Sequence, residues 1–392
     1  MTPSTMPLLN ASPLPLGAAP PQADVVFMPR PGAQPQALGH DQLTKLALAH
    51  HLAELLEGRF VGMVVAPGDP RSGSDPHADT TPLLLVPSDT LTLGPGAAPP
   101  EVFGGIVPQA FIATKVITHP LVAPGALAPT GWSTAFPEAV RDVVLPGWSV
   151  FSPGDAVIAT ERLLAGGSVR AKLPSGVGGS GQQVLRSMDD LHALLQRLPA
   201  EALRAEGLVL ERNLSDVKTY SVGQVRVGNW TATYCGTQRL TTNHAGHEVY
   251  GGSRLMVVRG DHEVLLNQPI DDAQRRAIEQ AMVYHRAAVA CYPGMSATRW
   301  NYDVAAGVDD TGLPQDGVLE QSWRIGGATG AELAALQAFR DDPELDVVEA
   351  ETVEIYGEAD DLPPGARLYY DGIDAQVGRL VKYAVARRYG HA

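Results

Sequence analysis

Cysteine is almost missing from this chain: Cys235 and Cys291 are the only two among 392 residues. Two are too few for a disulfide framework or a thiolate metal site, and they predict free thiols in a reducing cytoplasm. Lysine is scarce too, with Lys45, Lys115, Lys172, Lys218 and Lys382 the only five among 29 basic residues. The formal net charge of −14 excludes nucleic acid as the main partner, because binding to a phosphate backbone is driven by positive surface. No apolar run approaches the roughly 18 uninterrupted residues of a membrane span. The opening MTPSTMPLLNASPLPLGAAPPQ carries no basic residue and no unbroken apolar stretch. Residues 1–22 therefore read as a disordered Pro/Ala-rich tail and not as a secretion signal. Together these absences predict a cytoplasmic protein with no membrane and no nucleic-acid partner. They leave self-association open.

What is present is an ordinary apolar fraction of 44% in a chain long enough for two or three packed α/β subdomains. DVVFM, HDQLTKLALAHHLAELLEG and FVGMVV follow one another as strand, helix and strand, a small α/β unit over 23–107. Downstream, the pattern predicts a helix over Pro153–Ala165 and a strand ending at Lys172. A strand over Gln182–Arg186 follows, then a helix opened by Ser187 and Asp190 in capping-box spacing. GLVLERNL, TYSVGQVRV, WTATYCGT, RWNYDVAAG and GVLEQSWR read as strands, and DDAQRRAIEQAMVYHRAAVA and GAELAALQAF as helices. Residues 342–392 read as a C-terminal segment packing on the core.

The chemistry begins at VRAKLPSGVGGSGQQVL, where Lys172 ends a strand and Gly176, Gly178, Gly179, Ser180 and Gly181 form the loop after it. A dinucleotide fingerprint would run from a strand into a helix, and a Walker A loop would end in Gly-Lys-Ser/Thr. Here a second strand follows Gly181, so the loop is a hairpin tip, either a flexible turn or a cradle of backbone N–H groups for an anion. Further on, NYDVA and VLEQSWR place Asp303 and Glu320 on strands. Buried strands seldom carry unpaired acids. Either the two hold Mg²⁺ beside phosphates, or each pairs with an arginine, Arg299 or Arg324. Arg254 in YGGSRL and Arg239 in GTQR are either carboxylate-binding forks or strand-surface residues. His119, His244 and His247 match no metal-ligand spacing, and Trp323 reads as core.

Taken in order, these segments resemble the ATP-grasp superfamily, over roughly Pro108 to Phe339. VRAK with SGVGGSG resembles its lysine strand and phosphate flap, and GLVLERNL its adenine hinge. NYDVAAG and GVLEQSWRIGG resemble its two metal-binding strands, and FIATKVITHP places Lys115 at an earlier phosphate-contacting lysine. The phrases ATKVITHPLV, YGGSRL and LEQSWR are similar to those of a bacterial ATP-grasp-like family of unknown function. The resemblance implies an α/β (α+β) fold with two α+β subdomains, over 108–341, sandwiching ATP. It implies that Lys115, Lys172 and the loop Gly178, Gly179, Ser180 and Gly181 bind phosphates. Glu211, Arg212, Asn213 and Leu214 would line adenine, and Thr219 would stand where many members have a ribose-binding Glu. Asp303 and Glu320 would hold Mg²⁺, with Ser322 at the position of the family's metal-binding Asn. Arg324 would face the transferring phosphoryl group or the acyl phosphate. The implied activity is ligation of a small-molecule carboxylate to a nucleophilic co-substrate through an acyl phosphate. Phosphate transfer alone, or a nucleotide-binding scaffold, are the alternatives.

Overall fold

The computed structural model describes residues 22–33, 38–65, 81–94, 100–174, 176, 181–359 and 361–390. Most of the Pro/Ala-rich tail, most of the Gly94–Pro100 stretch, and Gly178, Gly179 and Ser180 lie outside them. The chain opens with β1 (Asp24–Met28), helix α1 (His40–Leu55), β2 (Phe60–Met63) and β3 (Leu83–Pro87). β1 lies between β2 and β3 and runs parallel to both. Val25, Val26 and Phe27 are fully buried, as the continuous apolar run of a strand covered on both faces requires. Two short strands, β4 (Leu91–Thr92) and β5 (Gly105–Val107), lead into 3₁₀ turns at Ala110–Ala113 and Lys115–Thr118 and helix α2 (Ala135–Val140).

A four-stranded antiparallel sheet follows. It contains β6 (Gly147–Val150), β7 (Val169–Lys172), β8 (Gln182–Leu185) and β9 (Leu208–Arg212), in the order β6-β9-β7-β8. Helices α3 (Pro153–Leu164), α4 (Met188–Arg197) and α5 (Ala200–Glu206) interrupt it. Ser187 and Asp190 form the reciprocal capping box that starts α4. Val169 and Ala171 of β7 point into an apolar cluster with Ala159 and Leu191. By strand alternation, Arg170 and Lys172 point the other way.

The remaining strands build one eight-stranded antiparallel sheet. They are β10 (Ser215–Val227), β11 (Trp230–Thr242), β12 (Glu248–Arg259), β14 (Arg299–Val308), β15 (Pro314–Ser322), β16 (Val347–Ile355), β17 (Arg367–Asp374) and β18 (Gly378–Arg388). Their order is β15-β14-β10-β11-β12-β16-β18-β17. Helices α6 (His262–Leu266) and α7 (Asp272–Cys291) precede β13 (Ser296–Ala297), which pairs with β5, and helix α8 (Thr329–Asp341) follows β15. On one face Tyr284 of α7 packs with Tyr302 and Val222; on the other Leu336 of α8 and Leu52 of α1 join a cluster with Val225 and Leu255. The C-terminal segment, expected to pack on the core, supplies three strands of this sheet. Pairing of β16 with β12 closes the ladder from Gly252↔Val353 to Val258↔Val347.

Candidate active site

Asp303 of β14 and Glu320 of β15 are register partners, so both carboxylates project from one face of the sheet, the face covered further along by α8. Asp303 Oδ1 accepts hydrogen bonds from Asn301 Nδ2 at 2.9 Å and Ser221 Oγ at 3.4 Å, while Gln238 Nε2 donates to Ser221 Oγ at 3.2 Å. Burial, and after it the neighbouring Glu320 charge, push the Asp303 carboxyl up to about 6. Neither arginine suggested as a structural partner reaches the pair. Arg299 is bound to Glu332. The Arg324 guanidinium donates to Ile325 O at 2.9 Å and lies 3.9 Å from Asp89.

The cation on Glu320 is Lys115 instead, ion-paired through Oε2. Lys115 is only 4% exposed and also donates to Gly176 O, at the base of the glycine loop, at 2.9 Å. Its turn is fastened by Gln321, whose Nε2 donates to Ile112 O at 3.1 Å and Thr114 O at 2.7 Å. The far end of that turn is His119, and His119 Nε2 lies 3.1 Å from Glu211 Oε2. Gly147 leaves room for this ring: a Cβ there would come within 2.8 Å of His119 Cε1. Glu211 Oε1 in turn lies 2.5 Å from Lys172 Nζ, and Lys172 is 2% exposed. Burial alone would raise the Glu211 carboxyl, but Lys172 and His119 outweigh it and hold it at about 2.

A single turn, residues 115–119, thus links two buried lysines, one paired with the half-buried Glu320 on the acidic strands and one with the buried Glu211 on the β6-β9-β7-β8 sheet. Nearby, Asn213 lies on the Glu211 face of β9, where its Oδ1 accepts from Arg170 Nη2 at 2.7 Å. Thr219, two residues before Ser221 on β10, shares the face of Asp303. Leu214 is buried against Leu145 and Ala305. Arg212 is turned the other way, over Gly166, where a Cβ would come within 2.4 Å of its guanidinium. Gly181 has φ +70° and its carbonyl accepts from Leu173 N at 2.9 Å.

Ser322 is two residues along β15 from Glu320 on the same face, and its Oγ accepts from Arg299 Nη1 at 3.4 Å. Arg254 is not brought to the site. It pairs in register with Thr237, and Thr237 with Tyr220, which sets it on the opposite face of the sheet from Asp303. There it is 63% exposed and bound to Glu349 at 2.7 Å and Glu351 at 3.2 Å. Arg239 donates to Gly251 O at 3.3 Å, and His244 Nε2 to Arg379 O at 2.8 Å. Sequence reasoning missed Asn301, Gln238, Gln321 and the Arg299–Glu332 pair. It also missed the Asp41–Lys45 pair, at 3.0 Å, beside Arg324. Only Lys45, by its rarity and its helical position, offered a signal.

The fold and these pairs define a mixed α/β protein with one buried ammonium group on an acidic strand pair and a second on Glu211. The chain belongs to the family described as "Protein of unknown function (DUF3182)", whose model matches residues 30–384. No curated protein sequence matches it. The solved structures to which it is similar include three ATP-grasp enzymes. One is a biotin carboxylase–β-γ-ATP complex from Campylobacter jejuni, at 11% identity, 93% of this chain, 87% of that one and TM-score 0.45. Another is phosphoribosylamine–glycine ligase from Thermotoga maritima, at 14% identity, 93% and 92% coverage and TM-score 0.46. The third is D-alanyl-alanine synthetase A from Vibrio cholerae, at 10% identity, 83% and 96% coverage and TM-score 0.42. Among the described residues no helix is long and apolar enough to cross a membrane.

Proposed function

We propose that the protein is an ATP- and Mg²⁺-dependent ligase that activates a small-molecule carboxylate as an acyl phosphate and passes it to an amine or a thiol. The observation that carries this reading is the pair of buried lysines, Lys115 on Glu320 and Lys172 on Glu211, joined by one turn beside Asp303. Buried ammonium groups need anions. Both lysines have carboxylate partners that a polyphosphate replaces, and His119 stays on Glu211 when Lys172 turns to phosphate. Asp303 and Glu320 suit a divalent cation, since two facing carboxylates, one pushed toward protonation, are relieved by positive charge. Mg²⁺ commonly takes one or two carboxylates, with phosphate oxygens and water completing the shell. A pair therefore suffices, and no cluster of three His, Cys, Asp or Glu exists among the described residues.

When bound, Mg²⁺ supplies charge neutralisation on the phosphate oxygens. The chain's own groups do the rest. Lys115 and Lys172 neutralise phosphates, the glycine loop offers backbone N–H groups, and the main chain of residues 211–214 with Thr219 holds the nucleoside. Arg324, on the loop after β15, steadies the transferring phosphoryl group. A substrate carboxylate oxygen then forms a bond to the γ-phosphorus as the bond to ADP breaks. The nucleophile next attacks the acyl carbon, phosphate leaves, and the nucleophile's proton passes to solvent. Positioning and positive charge provide the catalysis, because the encounter is between two anions.

The test is a panel of amino acids, dicarboxylates and short peptides, assayed for carboxylate-dependent ADP release with and without hydroxylamine. A hydroxamate formed with ADP supports the ligase. ADP with a stable phosphorylated product and no hydroxamate replaces it with a phosphotransferase, and Mg²⁺-ATP binding without turnover replaces it with a scaffold.

A further inference from the structure

Behind the two acids lies a second set of charges that the reaction does not touch. Arg299 and Glu332 are 1% and 0% exposed. Arg299 Nε lies 3.1 and 3.0 Å from the two Glu332 oxygens, and Nη2 lies 2.7 Å from Oε1. The free edge of the guanidinium is not idle. Nη1 donates to Ser322 O at 3.0 Å, to Ser322 Oγ at 3.4 Å and to Arg324 O. On the other side, the Tyr234 hydroxyl donates to Glu332 Oε1 at 2.5 Å and lies 3.1 Å from Asn301 Oδ1. Asn301 Nδ2 completes the chain at Asp303 Oδ1, 2.9 Å away.

Helix α8 is therefore connected through Glu332 to three places at once: the end of β15, the loop carrying Arg324, and the carboxylate of Asp303. A buried ion pair is costly where apolar packing would serve. Here its remaining hydrogen bonds go to the backbone and side chains that flank the acids. We propose that Arg299, Glu332, Tyr234 and Asn301 form a positioning unit that orients Asp303 and the end of β15 for a divalent cation, and that Ser322, whose Oγ is turned to Arg299, is not a ligand of that cation. Ser322 Oγ faces a guanidinium donor, and a cation beside that oxygen would meet a second positive charge. Asp303 and Glu320 alone are left as protein ligands. The proposal rests on the Mg²⁺ reading above.

Groups that orient a ligand, without touching the metal, commonly govern affinity by about 10- to 100-fold when removed. The experiment titrates Mn²⁺ into the full chain with ADP present and reads free and bound Mn²⁺ by electron paramagnetic resonance, with melting temperature measured alongside. Tyr234→Phe removes one hydroxyl from the chain and keeps the ring. It is expected to weaken Mn²⁺ about 10-fold and to alter the bound spectrum, whereas Ser322→Ala stays within about 2-fold of the parent. Asn301→Ala serves as the second variant should Tyr234→Phe fail to fold, with the same expected loss. Unchanged Mn²⁺ affinity and spectrum in folded Tyr234→Phe or Asn301→Ala overturn the positioning role. A loss above about 2-fold in Ser322→Ala makes the serine a ligand and overturns its exclusion from the cation. A parent chain that binds no Mn²⁺ while still binding ADP refutes the cation reading itself, and the proposal falls with it.

Discussion

Asp303→Asn should make the protein more stable and inactive at once. In the folded chain the Asp303 carboxyl titrates at about 6, against an ordinary value of 3.8, because it is buried and sits beside Glu320. Between those two values the folded state holds a proton that the unfolded chain has released. Stability contributed by this group therefore falls as pH rises through the window, and above it the full penalty is in place. A displacement of roughly two units corresponds to about 3 kcal/mol at about 1.4 kcal/mol per unit. Hydrogen bonds from Asn301 and Ser221, weakened in the amide, subtract about 1 kcal/mol. The net expectation at neutral pH is a gain of about 1–2 kcal/mol, a few degrees of melting temperature. It shrinks toward nothing, or reverses, near pH ~4, where the folded acid is neutral and the unfolded one is only about half ionised. Urea unfolding of parent and variant from pH ~4 to ~7.5, without nucleotide or metal, measures the difference directly. A variant less stable than the parent at neutral pH, or a difference that does not change with pH, refutes the argument. Mg²⁺-ATP should then stabilise the parent far more than the variant.

Lys172→Met leaves the buried Glu211 carboxylate short of its main partner and should cost about 3–5 kcal/mol, so the effect on nucleotide binding has to be read in Lys172→Met/Glu211→Gln. Because Glu211 is held at about 2 against an ordinary 4.5, its stabilisation is present above pH 4.5 and is lost as pH falls toward 2. Acid unfolding curves of the single variant should lose that dependence, and a curve superposing on the parent's contradicts the pairing. Arg254→Ala removes only exposed ion pairs and should change stability by less than about 1 kcal/mol and turnover not at all. A large loss of carboxylate-dependent turnover would return Arg254 to the site.

Local signals were legible in the sequence because their causes are local. The Ser187–Asp190 capping box, the apolar run of β1 and the hairpin around the glycine loop depend on neighbours within a few residues. The alternation NYDVA against VLEQS put Asp303 and Glu320 on strands, and their facing register follows from the short connection between β14 and β15. Lys172 was conspicuous by rarity and by its place before the glycine loop, whereas Lys115 was pointed to only by the family resemblance. Such residues carry their meaning in composition and spacing, and no long-range contact is needed to notice them.

Which group answers which charge was decided only by the tertiary structure. Glu211 reaches Lys172 across paired strands, and Glu332 reaches Arg299 from a helix beyond β15. Both pairings depend on how sheets and helices dock. Arg254 shows the point most sharply. Strand faces alternate residue by residue, so a shift of one position in register reverses a side chain's face. The register of β12 against β11, with its irregularity after Arg239, set Arg254 away from Asp303. The three C-terminal strands joined the central sheet because β12 had a free edge for β16. Sequence by itself determined the elements and the residues with unusual chemistry. Packing determined their partners, since charge pairing and strand register are settled by atoms far apart in the chain.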